Sequence, residues 1–187
     1  TLLDLKNLNI SPDNKEIKET LKVIFKTEKG PDGGILPIGT TKRSDVCVNG
    51  MFLNYAAYFQ VDEEYLKSII DFLIAEKMKD GGFNCQSNRT GANHSSLHST
   101  LSVLEGIFEY EQNGYKYRLE ELMKIKNESH EFILIHHLFR SDKTGEIINT
   151  NFLKFPYPGR WYYDILKALD YFQLANVKYD HRMQEAI

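Results

Sequence analysis

The chain has 187 residues, 42% hydrophobic and 26% charged, with a net charge of −3. That is the balance of an ordinary globular domain with room for one sizeable core. A mildly acidic chain offers no basic face to nucleic acid. No apolar run approaches the roughly 18 residues needed to span a bilayer, and the opening TLLDLKNLNISPDNKE lacks the basic and apolar regions of a signal peptide. The two cysteines, Cys47 and Cys85, do not amount to a disulfide framework, so the expectation is a cytoplasmic protein with reduced thiols.

In chain order, SPDNKEIKETLKVIFKTEKG predicts an amphipathic helix with Ser11 and Asp13 as caps and Gly30 as a stop. A turn follows at Asp32-Gly33-Gly34, then a polar loop. The next helix has Val48, Met51, Phe52, Tyr55 and Phe59 on one face. VDEEYLKSIIDFLIAEKMK opens acidic and closes basic, matching the helix dipole, and carries an apolar stripe from Tyr65 to Ile74. A second turn, Asp80-Gly81-Gly82, leads through a loop into a helix with Leu97, Leu101, Leu104, Ile107 and Phe108 on one face, capped by Asn93 or Ser95. NGYKYRLEELMKIKNESHE reads as an insertion and HEFILIHHLFR as another amphipathic helix, in which His136 or His137 must face inward. The third unit, from Thr144, ends in a helix with Trp161, Ile165, Leu169 and Phe172 aligned. DHRMQEAI then starts a helix at Asp180 and breaks off after about two turns. A helix that short needs packing partners, so the chain reads as a segment of something longer.

These units repeat one design: amphipathic helix, Gly turn, irregular loop, apolar helix ending in an aromatic. The repeats fall at about 32–78, 80–140 and 144–187 within a single domain spanning 1–187. No stretch shows a strand's alternation. The expected fold is therefore all-α, with helical hairpins stacked in two layers, apolar helices inside and amphipathic ones outside.

A Gly turn ahead of an inner helix, as in Asp32-Gly33-Gly34-Ile35 and Asp80-Gly81-Gly82-Phe83, resembles the repeats of squalene and other triterpene cyclases and of protein prenyltransferase β subunits. The resemblance covers about residues 14–175. It implies an α/α toroid, here a partial one of about three hairpins, and an isoprenoid or other apolar substrate. If the protein is an enzyme, it implies an isoprenoid transferase or cyclase. The chain departs from the cyclase pattern at Lys29 and Lys77, where that pattern has Gln, and at Ile35 and Phe83, where it has Trp. It also lacks the cyclases' Asp-x-Asp-Asp acid.

In the prenyltransferase β subunits an Asp-x-Cys at one inner-helix start and a His at the next bind zinc. The resemblance places those roles on Asp45 and Cys47, with His94 or His98. Zinc would present a thiolate nucleophile and keep an open fourth position. Read by themselves, Asp45 is also a good N-cap, Cys47 a small buried residue, and His94 and His98 a helical i, i+4 pair only if the helix already includes residue 94. Aligning the terminal aromatics Phe59, Tyr110 and Phe172 sets Cys47, His98 and Arg160 at equivalent helix starts, on one rim. Arg160, Trp161, His98 and Arg89 are the candidate ligand contacts, with Arg160 able to meet an anion or lie over an aromatic ring.

Three function classes follow. The first is a cyclase- or prenyltransferase-like domain with an apolar small-molecule pocket. The second is a helical-repeat scaffold without chemistry. The third is a glycan-processing α/α toroid. Completion of the fold by a further part of the same protein, or by self-association, belongs with each.

Overall fold

The structure is a computed structural model that describes residues 2–37, 43–87 and 90–187. It is all-α. Seven α-helices are described: α1 (Leu2–Asn7), α2 (Lys15–Thr27), α3 (Val46–Tyr58), α4 (Glu63–Ala75), α5 (Leu97–Gln112), α6 (Leu119–Ile135) and α7 (Ile165–Leu174). Short 3-10 turns lie at Thr150–Leu153 and His181–Ala186. Among the described residues no helix is long and apolar enough to cross a membrane.

The two Gly turns are built alike. In the first, Gly30 N–H donates to the Gly34 carbonyl; in the second, Met78 N–H donates to the Gly82 carbonyl. Asp32 accepts from the Ser44 amide (2.8 Å) and hydroxyl (2.6 Å), and Asp80 accepts from the same two groups of Ser95. Each aspartate thus latches its turn to the residue leading into the next helix. The following residue is pinned from that helix. Asn49 exchanges two hydrogen bonds with the backbone of Ile35, and the Thr100 hydroxyl both donates to and accepts from the backbone of Phe83. Gly33 (φ +87°) and Gly81 (φ +95°) hold left-handed backbone that suits only glycine.

α3 and α5 pack most closely. A Cβ on Gly50 would lie 2.6 Å from the Ser102 carbonyl oxygen, so small residues let the two backbones touch. The core has two apolar clusters that share α5. Val103, Ile107 and Tyr110 join the cluster of α2, α3 and α4, whereas Leu97, Leu101 and Leu104 join that of α6 and α7. α2 and α4 bury one face each, through Ile17, Leu21 and Phe25 and through Leu66, Ile69, Ile70, Phe72 and Leu73.

Several boundaries differ from expectation. α2 is capped by Asn14, whose side chain accepts from Ile17 N–H, in place of Ser11 or Asp13; α5 is capped by Ser96, accepting from Ser99 N–H. The supposed insertion is helical: α6 begins at Leu119 and runs unbroken to Ile135. Only the first six residues of HEFILIHHLFR, His130–Ile135, belong to this helix, as its last turns, and His136 and His137 lie past its end. α7 starts only at Ile165, capped by Asp164, so Trp161 precedes the helix. α1 packs on α3, where Lys6 bridges Asn54 and Glu109 and the Tyr58 hydroxyl donates to the Ile10 carbonyl.

Candidate functional site

The starts of α3 and α5 lie side by side. Asp45 occupies the N-cap position of α3, buried, with its carbonyl accepting from Asn49. Cys47 and Cys85 are joined as a disulfide across 38 residues of sequence, which corrects the expectation of two reduced thiols. The Ser99 hydroxyl accepts from the Cys85 amide at 3.1 Å and lies 3.2 Å from its sulfur. The bond therefore ties the first apolar helix to the loop that feeds the second.

The four residues considered for zinc are not assembled as a ligand set. The Cys47 sulfur is engaged by Cys85. His94 is exposed and lies ahead of α5, which starts at Leu97, so it forms no helical pair with His98. His98 faces an aromatic ring. Among the described residues no three His, Cys, Asp or Glu side chains converge as metal ligands. The residues present do not fit a zinc centre.

His98 and Trp161 do meet, edge to face, with ring centroids 5.3 Å apart. Burial, assisted by the nearby Lys167 ammonium, pushes the His98 imidazole down to about 4, so it is neutral at pH 7. Trp161 stacks on Tyr162 at 4.2 Å. Arg160 sits beside it with φ +43°, in a loop containing Pro156 and Pro158. It is not at a helix start, so the proposed equivalence of Cys47, His98 and Arg160 holds for the first two, each the second residue of its helix, and fails for the third. Arg89 lies outside the described residues.

Between α1, α2, α3 and this loop runs an apolar groove of about 520 Å³, lined by Leu2, Leu3, Ile24, Val48, Met51, Tyr55, Arg160 and Trp161. Burial alone pushes the Tyr55 hydroxyl's ionisation upward. Arg160 and Leu3 also line an adjoining polar recess of about 270 Å³ with Lys6, Asn54, Glu105, Glu109, Lys167 and Asp170. There Lys6 is paired with Glu109 (2.6 Å) and Lys167 with Glu105 (3.2 Å). Arg160 has no carboxylate partner among the described residues. The recess sets Glu105, Glu109 and Asp170 against Lys6, Lys167 and Arg160, so it is charge-balanced only with Arg160 counted; an apolar trough with this guanidinium at the junction can receive an amphiphile whose anionic head meets Arg160 from the trough side.

Sequence reasoning passed over His130. It is buried in α6, its Nε2 lies 2.8 Å from the Tyr171 hydroxyl, and burial pushes it down to about 4. Its position one turn before Ile133 and Leu134, on the buried side of α6, was the available signal.

No family model, curated protein or solved structure matches the chain.

Proposed function

We propose that this is a helical-repeat domain of the α/α-toroid type, similar in design to the cyclase and prenyltransferase repeats, that binds an isoprenoid-like amphiphile in the groove beside Trp161. The observation that carries this reading is the junction at Arg160, where an apolar trough of about 520 Å³ opens onto a polar recess. The volume lies in the range of small-molecule sites. Val48, Met51 and Trp161 would take the tail, and the Arg160 guanidinium would take an anionic head. The reading is one of binding, and it assigns no catalytic step.

Trp161 is the single tryptophan and so reports directly on its own groove. Titration with a C15 prenyl diphosphate should change its fluorescence saturably. Inorganic diphosphate should not reproduce the effect, and R160A should weaken binding about tenfold or more. The absence of a saturable change with prenyl diphosphate or with a long-chain fatty acid would leave the scaffold reading in its place. The packing of α1 against α3, with Leu2 and Leu3 inside the groove, already favours that alternative in part.

A further inference from the structure

Residues 147–163 contain no acidic side chain, although the chain as a whole is net acidic. The segment is rich in exposed apolar and aromatic groups. Tyr157 is 99% and Phe155 60% exposed, and Ile148, Leu153, Trp161 and Tyr162 are also uncovered. Neither Phe155 nor Tyr157 belongs to an apolar cluster of the core. The two cations of the segment are equally uncommitted. Lys154 reaches only the neutral Asn151 side chain, and Arg160 has no carboxylate partner among the described residues. Elsewhere arginines are spent internally: Arg118 on Asp71 and Glu121, Arg140 on Glu185, and Arg182 on Asp180 and Glu131.

We infer that this loop is a docking surface for an anionic membrane interface. Tyr and Trp rings favour the headgroup level, where one edge is wet and the other apolar. Ile148, Leu153 and Phe155 supply groups that gain by leaving water, and free Lys and Arg are drawn to anionic headgroups. Charge complementarity selects this occupant over others. Two uncommitted cations set among exposed apolar and aromatic groups, with no carboxylate in the segment, match an anionic headgroup layer lying over an apolar interior. The inference shares Arg160 and Trp161 with the groove reading, but it also rests on Lys154, Phe155, Tyr157 and Tyr162, which do not line that groove, and these allow the two to be tested apart.

The test is co-sedimentation of the full chain with vesicles of phosphatidylcholine alone and of phosphatidylcholine with 30% phosphatidylglycerol. Pelleting is expected with the second and not the first, and it should fade in high salt as the charges are screened. F155S/Y157S and K154E, checked for unchanged helical circular dichroism, should each weaken binding on the order of tenfold. Neither variant touches the Trp161 groove, so prenyl diphosphate titration should be unaffected by either. No pelleting, equal pelleting on neutral vesicles, or variants that pellet like the parent would each overturn the inference. So would F155S/Y157S breaking up a dimer, or abolishing oligosaccharide binding, in a chain that ignores vesicles.

Discussion

Gly106 lies directly against Gly50. A Cβ built on Gly106 would stand 2.5 Å from the Gly50 carbonyl oxygen and 3.2 Å from the Leu53 Cβ. The nearest atom is backbone, which cannot swing away. The two helices would have to part, and α5 supplies side chains to both apolar clusters. Alanine at position 106 should therefore destabilise the protein by about 2–4 kcal/mol despite its better helix propensity. Urea unfolding of G106A beside an exposed control, A75G, measures this; a G106A protein as stable as the parent would mean the helices are not in contact.

The aspartate latches are the second target. Each carboxylate accepts from a serine amide and its hydroxyl, and Asp32 accepts also from the Gly34 amide (3.3 Å). Bonds to a charged acceptor are worth more than neutral ones. D32N and D80N should each cost about 1–2 kcal/mol, and the double variant should lose the sum, because the latches sit in different turns. A marked shortfall from additivity in chemical denaturation would show that the turns are coupled.

The Cys47–Cys85 bond closes a loop of 38 residues. On the chain-entropy relation such a link contributes up to about 4 kcal/mol. Denatured, unreduced protein should give no reaction with a thiol reagent, and reductant should lower the melting temperature. C47S and C85S should match the reduced parent. Two titratable thiols in protein never exposed to reductant would refute the pairing.

Acid should loosen the protein before its carboxylates titrate. His98 and His130 are both pushed down to about 4 from 6.5 by burial. Lys167 adds to the effect at His98; at His130, Lys126 adds to it and Glu111 opposes it. Their neutral forms are favoured in the folded state and the unfolded chain binds protons first, so this stability is complete above pH 6.5. It is lost as pH falls toward 4, by as much as about 1.4 kcal/mol per pH unit for each group. H130Q, which can still meet the Tyr171 hydroxyl, should flatten the slope between pH 6.5 and 4. An unchanged slope would place the protonation elsewhere.

What the sequence disclosed was local. The Gly turns are written in Asp and Gly, and the alignment of Phe59 with Tyr110 carries over into three dimensions. The latch serines Ser44 and Ser95 and the pinning residues Asn49 and Thr100 stand at that same offset. The third unit broke the rule because Asp164 caps α7 and leaves Arg160 and Trp161 in the loop. α6 hid its start because Arg118, left-handed and without a side-chain cap bond, occupies the N-cap, where Ser, Thr, Asp or Asn would have given notice. α1 is six residues long and depends on Lys6 meeting Asn54 and Glu109, which no local pattern encodes. The pocket was expected between the inner helices, at the rim of Cys47, His98 and Arg160; the groove instead lies between α1, α2, α3 and the loop that carries Arg160 and Trp161. The meeting of Cys47 with Cys85 depends on how two helices lie together, which spacing alone does not reveal.

The two left-handed glycines have one more consequence. Gly33 abuts the Ser68 carbonyl of α4, and Gly81 the Glu128 carbonyl of α6. Each turn therefore presses bare main chain against the main chain of an outer helix. At these two points the closest approach of turn to outer helix is between peptide groups, and the Ser129 hydroxyl adds a hydrogen bond to the Gly81 carbonyl. A stack gauged in this way can replace most of its surface and keep its curvature, provided a few glycines and aspartates stay in place.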